Sequence, residues 1–350
     1  MKKVYILSHT DIDGYFSAAM VQLYFNLFLA NGEEIEYKHK SWTYGRQLPN
    51  LKFIKENYDY FFVVDLCPDF YFMKDLYEHF GDKFVWIDHH VKPDNEFLEQ
   101  FKVIHPGEQI NGLIAEKEHS MCAAYLVYYY FEKNYNTKDP LHEDNPPEWL
   151  ELISDFDCWN RLNEERWQRK VMPYFSFLKG KITNPYLAYE YIEERYKSKY
   201  FYDTYEYELC TDRYIPTNHQ TADEIEKGVM MYKMLKDIYR AEAKHGFERM
   251  LSVKQGDEIK IIKAWICNTQ NRSSVIFEEM KNVDDYDVFI PYHFNGEKYF
   301  YSMYTFKDNI KCNQISILSD EAPHVDVLLT FNGHDDAAGS NSEKFAFGKS

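Results

Sequence analysis

Histidine and aspartate side chains follow three apolar segments in the first 90 residues, each directly after its segment ends. They are His9, Asp11 and Asp13 after the first segment, Asp65 after the second, and Asp88, His89 and His90 after the third. If these side chains converge, the carboxylates repel one another unless positive charge is supplied. Two divalent cations about 4 Å apart, bridged by one carboxylate, supply that charge and suit phosphoryl-transfer chemistry. The pattern therefore predicts a two-metal site.

The ligand types restrict which metals such a site would hold. Carboxylate oxygens mixed with imidazole nitrogens fit Mn²⁺, and Mg²⁺ can replace it, whereas Ca²⁺ takes oxygen ligands alone. The six cysteines are scattered, with no close C-x-x-C pair, so neither a thiolate zinc site nor a disulfide framework is indicated. We therefore expect two divalent cations, with Mn²⁺ preferred and Mg²⁺ as the alternative.

A parallel sheet is the element that would bring these residues together. Strand-like segments at 4–7, 35–38, 60–64 and 84–87 alternate with helical patterns at 15–29 and 70–80, and further helices are predicted at 120–131 and 148–153. Such alternation is typical of an α/β fold with helices on both faces of a parallel sheet. Because the carboxyl ends of parallel strands share one edge, where ligands bind, the acidic residues are expected to meet there.

The length of 350 residues favours more than one domain. Residues 1–160 are predicted to form the catalytic, metal-binding domain. Residues 161–246 are charged, rich in tyrosine and helical in pattern, which indicates a helical connector; a lid, a dimer surface and a partner site all remain open for it. Strand-like segments return in 247–350 and predict a smaller C-terminal α/β domain that binds substrate.

The charge balance limits the partners. Acidic residues number 57 and basic residues 40, which gives a net charge of −17. That charge opposes accumulation of a long duplex through non-specific contacts, so a short phosphate-containing ligand gripped locally fits better. The apolar run at the start is too short for a signal-peptide core, and no stretch reaches the length of a membrane span. A cytoplasmic protein without a membrane partner is expected, and a homodimer is left open.

Five motifs carry a family resemblance. The segments H-T-D-I-D-G at 9–14, the isolated Asp65, D-H-H at 88–90 and I-S-D-F-D-C-W at 153–159 resemble, in order, the four motifs of the DHH phosphoesterase superfamily. The segment F-N-G-H-D-D-A-A-G-S at 331–340 is similar to the G-G-H-x-x-A-A-G signature of the DHH-associated C-terminal domain. The resemblance covers about 9–160 and 260–345 and leaves the middle of the chain uncovered.

The resemblance implies a role for each motif residue. One metal would be held by His9, Asp11 and Asp65; the second would be held by Asp13, Asp65, His89 and the aspartate of the fourth motif. That aspartate is predicted to be Asp155, with Asp157 as the alternative. Asp88 would orient the neighbouring histidine. His90 would contact the scissile phosphate or protonate the leaving oxygen.

The C-terminal motif implies substrate contacts. His334 would bind a phosphate or terminal group, and Gly333 would let the backbone approach the substrate closely. Residues 337–339 are expected to begin a helix whose amides favour an anion. Arg272 is predicted to grip phosphate, because Tyr304 stands near the place where related domains often carry an arginine.

The resemblance also implies the reaction class, which is hydrolysis of a phosphodiester or phosphomonoester bond in a nucleotide substrate. The chain resembles the short-chain oligoribonucleases of this superfamily, which degrade RNA fragments of a few nucleotides to mononucleotides. Hydrolysis of a cyclic dinucleotide or of 3′-phosphoadenosine 5′-phosphate is the first alternative. A RecJ-like exonuclease for single-stranded DNA ranks lower, because no basic groove is evident, and a non-catalytic nucleotide-binding protein comes last. Whether the substrate is RNA or DNA, and from which end it is cleaved, stays open.

Overall fold

The structure is a computed structural model. It describes residues 1–89, 103–104, 121–135, 146–161, 163–204, 217–269, 277, 280, 282–307, 309–319, 327–333 and 337–347. The chain divides into two compact units, Met1–Tyr232 and Lys233–Ser350. Most of the helices expected in the connector belong to the first unit. The division into 1–160, 161–246 and 247–350 stays a prediction.

The first unit is built on a five-stranded parallel sheet with the strand order β2-β1-β3-β4-β5. Its strands are β1 (Lys2–Ser8), β2 (Ile35–Ser41), β3 (Tyr60–Val64), β4 (Phe84–Ile87) and β5 (Val103–Ile104). Each strand predicted in this part of the chain lies within one of them. The parallel sheet and the intervening helices confirm the predicted α/β class.

Within the described residues, eight helices of seven residues or more accompany this sheet, and the last of them runs into the second unit. They are α1 (Ile12–Phe28), α2 (Leu51–Asn57), α3 (Phe70–Phe80), α4 (Ala123–Tyr135), α5 (Glu148–Asp157), α6 (Met172–Lys181), α7 (Pro185–Thr204) and α8 (Thr217–Ala243). A 3₁₀ turn occupies Gly81–Lys83, and a helical turn at Glu164–Arg166 continues into a π-helical stretch at Trp167–Val171. Within the described residues, no helix is long and apolar enough to cross a membrane.

Both faces of the parallel sheet are covered at its centre, which explains why Val4–Leu7 of β1 and the strands β3 and β4 are continuously apolar, whereas the edge strand β2 alternates apolar and polar residues. On one face Leu7 and Val63 belong to a buried cluster with residues of α2 and α3. On the other face Phe25 of α1 packs edge-to-face on Phe62, with the ring centroids 6.1 Å apart. Successive side chains of a strand point to opposite faces, so each strand fixes the direction of the residue that follows it.

The sheet order places a topological switch beside β1. The chain passes from β1 to β2 on one side and then returns across β1 to β3 on the other. Ligands bind in open parallel sheets at the carboxyl ends of the strands flanking such a switch. The residues after β1 and β3 therefore face a common crevice at the edge where His9 and Asp65 lie.

The second unit contains an eight-stranded sheet with the order β11-β10-β6-β7-β8-β9-β13-β12. Its strands are β6 (Phe247–Gln255), β7 (Glu258–Asn268), β8 (Val288–Phe294), β9 (Tyr299–Tyr304), β10 (Ile315–Leu318), β11 (Val327–Thr330), β12 (Asn332–Gly333) and β13 (Ala337–Ser342), with 3₁₀ turns at Val283–Asp285 and Cys312–Gln314. Among the described strands of this second sheet, only β7 and β8 pair in parallel. One face carries a buried apolar cluster that includes Ile266, Ile290 and Met303.

The helix expected to begin at 337–339 is absent, and that prediction was wrong. Ala337–Ser342 is strand β13, which pairs antiparallel with β9 and opposes Ala337 to Tyr304. Small residues suit either a helix start or a strand beside bulky neighbours. The hydrogen bonds offered by β9 decide between the two states, and these are long-range and invisible in the local sequence.

Candidate metal centre

The loop after β1 is held by its own aspartate. Asp11 is the N-cap of α1, and its Oδ1 accepts a hydrogen bond from the Gly14 amide at 2.9 Å, while Oδ2 contacts His9 Nδ1. A Cβ on Gly14 would lie 2.6 Å from the carbonyl oxygen of His9. Glycine is therefore needed where α1 begins, because the chain folds back on the histidine.

Asp65 sits at the end of β3 in a backbone conformation that few residues adopt. Its φ is +59°, in the left-handed region, and its amide donates to the carbonyl of Ile87 at 2.9 Å. The side chain is 1% exposed and its Oδ2 lies 3.8 Å from Nδ1 of His9. Such a turn directs the carboxylate over the edge of the sheet, next to the loop that follows β1.

Asp13 is fixed by a helix that lies far away in the sequence. Its two carboxylate oxygens accept hydrogen bonds from the amides of Ala123 and Ala124, at 2.7 and 2.8 Å, at the start of α4. The amides at the start of a helix have no partner within that helix, and they favour an anion. The side chain of Asp13 is thereby held buried in one position.

Three carboxylates lie close to the side chain of His89. Its Nε2 lies 3.2 Å from Asp157 Oδ2, 3.3 Å from Asp65 Oδ1 and 4.0 Å from Asp13 Oδ2. The other ring nitrogen, Nδ1, lies 3.8 Å from the sulfur of Cys158. Three aspartates from distant parts of the chain thus lie near one imidazole nitrogen of His89, whose side chain is 5% exposed.

The predicted residue of the fourth motif does not join this cluster. Asp155 instead accepts a hydrogen bond from Nε of Arg166 at 2.9 Å. Asp157, the alternative, occupies the place beside His89. The two aspartates lie in the last turn of α5, where residues two apart point in different directions, so only one of them can face the sheet edge. The geometry therefore favours Asp157 over Asp155.

The electrostatics of the cluster are dominated by like charges. Burial raises the pKa of Asp65 well above its ordinary value, and four neighbouring carboxylates raise it further; these are Asp13, Asp11, Asp157 and Asp88. Burial and the charge of Asp11 also raise the pKa of Asp13. Burial acts on Asp11 in the same direction, but the contact with His9 and the Gly14 amide outweigh it and lower the pKa of Asp11 to about 2.

The donor groups fit divalent cations. Two sets, His9 with Asp11 and Asp65, and Asp13 with Asp65 and His89, each offer ligand atoms within 4.8 Å of one another. Asp65 belongs to both sets, as a bridging ligand would. Positive charge at this point would relieve the repulsion that raises the pKa of Asp65. A third set combines His89 and Asp157 with Cys158, so one thiol stands at the margin of the cluster.

Of the other predicted site residues, the structure describes Asp88 and Gly333. Asp88 follows β4, is fully buried and lies close enough to raise the pKa of Asp65. Gly333 lies in β12, which pairs with β13. His90, Arg272 and His334 lie outside the described residues, and their roles stay predictions.

Sequence reasoning missed the supports of the cluster. The amides of Ala123 and Ala124 come 110 residues after Asp13, and the hydroxyl of Ser154 accepts a hydrogen bond from the Cys122 amide at 3.1 Å. The run of small residues around Ala123 at a helix start was the one available signal, since such residues allow a side chain to approach the amides. The charged contact of Arg166 with Asp155 had no local signal.

The fold and the cluster define the class: an α/β domain with a group of carboxylate and imidazole side chains, of the types that bind metal ions, at the edge of a parallel sheet. Residues 3–154 match the family described as DHH family, N-terminal domain. The matched residues include His9, Asp11, Asp13, Asp65 and His89, and the match leaves residues 155–350 uncovered. Members of that family are metal-dependent phosphoesterases. The comparison with curated proteins gives no match.

Solved structures with a similar chain path are distant in sequence. A DHH-domain protein described as a member of a family of ribosomal proteins is 14% identical, with 97% of this chain and 82% of that chain covered and a TM-score of 0.47. RecJ from Thermus thermophilus in complex with Mn²⁺ is 14% identical, with 97% and 49% covered and a TM-score of 0.42. The pGpG-specific phosphodiesterase PggH from Vibrio cholerae is 10% identical, with 98% and 93% covered and a TM-score of 0.44.

Proposed function

We propose that the chain is a two-metal phosphodiesterase that hydrolyses short oligonucleotides to mononucleotides. The observation that carries the proposal is the position of Asp65, whose two carboxylate oxygens face His9 on one side and His89 on the other. One carboxylate between two histidine-containing ligand sets is the arrangement expected of a bridged pair of cations. The net charge of −17 supports a short substrate over a long duplex.

The geometry supports two ligand sets. His9, Asp11 and Asp65 would hold one cation, and Asp13, Asp65, His89 and Asp157 the other. Mn²⁺ is the preferred ion and Mg²⁺ the alternative. Bound divalent cations would lower the pKa of an attacking water and offset negative charge on the phosphoryl group.

The chain's own residues hold these groups in place. The α4 amides keep the carboxylate of Asp13 fixed, and the left-handed turn keeps Asp65 directed at the cluster. In the hydrolysis, water adds to phosphorus, the bond from phosphorus to the leaving nucleoside oxygen breaks, and that oxygen receives a proton. His90 is the predicted donor of this proton.

A substrate panel tests the proposal. Purified protein with Mn²⁺ is incubated with dinucleotides and five-nucleotide oligomers of RNA and DNA, cyclic dinucleotides, 3′-phosphoadenosine 5′-phosphate and long single-stranded DNA, and initial rates are compared. We expect the highest kcat/KM on linear substrates of two to five nucleotides and loss of activity when EDTA removes the metal. A higher kcat/KM on long DNA, or on the cyclic or monoester substrates, would replace this proposal with the corresponding alternative.

A further inference from the structure

A cavity of about 450 Å³ opens beside the metal centre, within the first unit. Its lining includes Asp11, Asp13 and Asp157, which also belong to the carboxylate cluster. Pockets of about 300–1,000 Å³ are the size that holds small molecules. A substrate whose reacting phosphate lies at the cluster would therefore have room in this cavity for a group attached to that phosphate.

Part of the cavity lining is aromatic and aliphatic. Phe156 of α5 and Phe175 of α6 line the cavity and stack on each other, with ring centroids 3.3 Å apart and an interplanar angle of 11°. The ring of Trp167 lies parallel to that of Phe156, with the ring centroids 6.1 Å apart. Ile153 and Ile182 complete the apolar lining. A nucleobase, which is flat and largely apolar on its faces, suits such a wall.

A lysine side chain lines this cavity. Of the described lining residues, Lys179 of α6 alone carries a positive charge, and Thr183 adds a hydroxyl nearby in the chain. Within the part of the chain that the structure describes, the ammonium of Lys179 makes no ion pair. The Lys179 side chain is exposed, so a phosphate in the cavity can reach it, and desolvation by nearby protein atoms lowers the pKa of its ammonium.

We propose that this cavity is a subsite for the nucleotide next to the scissile bond, in which Lys179 binds the phosphate of that nucleotide and the Phe156–Phe175 wall receives its base. The inference rests on the proposed phosphodiesterase function. It predicts that the protein prefers substrates with a second phosphate and that Lys179 is the side chain responsible for this preference. The residues of this subsite all belong to the first unit, Met1–Tyr232, whereas Arg272 and His334 belong to the second part of the chain.

The test compares two substrates with three variants. The substrates are a 5′-phosphorylated dinucleotide, which carries a second phosphate, and bis(p-nitrophenyl) phosphate, which does not. Lys179→Ala is compared with Lys179→Arg, which keeps the charge, and with Lys227→Ala, which removes the same charge from an exposed position on α8. Unfolding temperatures confirm that all variants are folded.

We expect Lys179→Ala to lower kcat/KM about 10-fold to 100-fold on the dinucleotide and less than about threefold on the small diester, since charged hydrogen bonds contribute on that scale. Lys179→Arg should recover part of the loss, and Lys227→Ala should behave as the wild type on both substrates. Equal losses on both substrates, or no loss on either, would overturn the subsite.

A binding measurement separates this inference from the proposed function. AMP is titrated calorimetrically into the wild-type protein and into Lys179→Ala in the same Mn²⁺ buffer. Weaker AMP binding by Lys179→Ala than by Lys227→Ala is expected whether or not the wild type turns over any substrate. Identical AMP affinities in the two variants would overturn the subsite, and a wild type that binds AMP but hydrolyses nothing would overturn the proposed function alone.

Discussion

The Nε2 atom of His89 lies 3.2 Å from Oδ2 of Asp157, whereas Asp155, two residues earlier in α5, is bound by Arg166. The two aspartates share a chemical type and a helix, but they face different surroundings. Because they are separated in space, substitutions can test directly which of the two is the fourth-motif ligand. Asp155 is the residue predicted from the sequence, and Asp157 is the residue favoured by the geometry.

Asp157→Asn is expected to lower Mn²⁺-dependent kcat/KM at least about 100-fold, because losing even a residue that supports a metal ligand costs about 10-fold to 100-fold. Asp155→Asn should change kcat/KM less than about threefold, since its carboxylate contacts Arg166 instead of the cluster. Initial rates and bound metal per chain, measured for both variants, check the prediction. The reverse order of effects would return the ligand role to Asp155.

Asp65→Asn should make the metal-free protein more stable and abolish its stabilisation by Mn²⁺. The Asp65 carboxylate is 1% exposed, and its pKa is raised by burial and by neighbouring acids, so its neutral amide removes repulsion from the metal-free protein. We expect the Tm of the metal-free variant to rise by about 2 °C or more, as a gain near 1 kcal/mol would produce. Addition of Mn²⁺ should raise the Tm of the wild type and leave that of the variant unchanged.

Asp75→Asn is the matched control for that change. Asp75 is a partly exposed acid on α3 that pairs with Lys55 away from the cluster. The control should keep the Mn²⁺-dependent rise in Tm. If metal-free Asp65→Asn proves less stable than the wild type, the repulsion inferred at Asp65 is wrong.

The sequence was sufficient for the parts of the site that depend on strand ends. His9, Asp65 and His89 each follow an apolar run, and parallel strands carry such residues to one edge whatever the details of packing. The choice between Asp155 and Asp157 depended on helical phase. The apolar pattern ended at 153 while α5 continues to Asp157, so the phase at these positions could not be read.

Long-range pairing explains the remaining gaps. Asp13 is held by amides 110 residues away, and Ala337 lies in a strand because β9 offers hydrogen bonds to it. Neither relationship leaves a local pattern. Small residues such as alanine are compatible with several backbone states, and tertiary contacts select one of them.

Gly14→Ala should destabilise the first unit. The added Cβ would lie 2.6 Å from the carbonyl oxygen of His9, and backbone atoms cannot move aside cheaply there. We expect the free energy of unfolding, measured with urea, to fall by about 1–3 kcal/mol, the usual cost of overpacking. Gly180→Ala is the control: it lies in α6 and its Cβ would meet only the flexible end of Met231, so stability should be unchanged or slightly higher. Equal losses in the two variants would remove the special role of Gly14.

His39 should make the fold sensitive to acid. This histidine of β2 is 8% exposed, its Nε2 lies 2.5 Å from Oε1 of Gln22, and burial lowers its pKa to about 4 from an ordinary value of 6.5. Between those two pH values the unfolded chain binds a proton that the folded chain does not, so stability falls as the pH drops below 6.5. One pKa unit corresponds to about 1.4 kcal/mol, which gives up to about 2 kcal/mol between pH 6.5 and pH 5.

His39→Gln, which cannot titrate, is expected to reduce that loss of stability on acidification. The free energy of unfolding of each protein is measured with urea at pH 7 and at pH 5. The difference between the two values is the loss of stability on acidification, and it is compared between the variant and the wild type. His79→Gln, which alters an exposed histidine of α3, should leave the wild-type difference in place. Because the carboxylates of the candidate metal centre also titrate, only the change between variants reports on His39. An identical acid response in His39→Gln and wild type would show that this imidazole is protonated equally in the folded and unfolded chain.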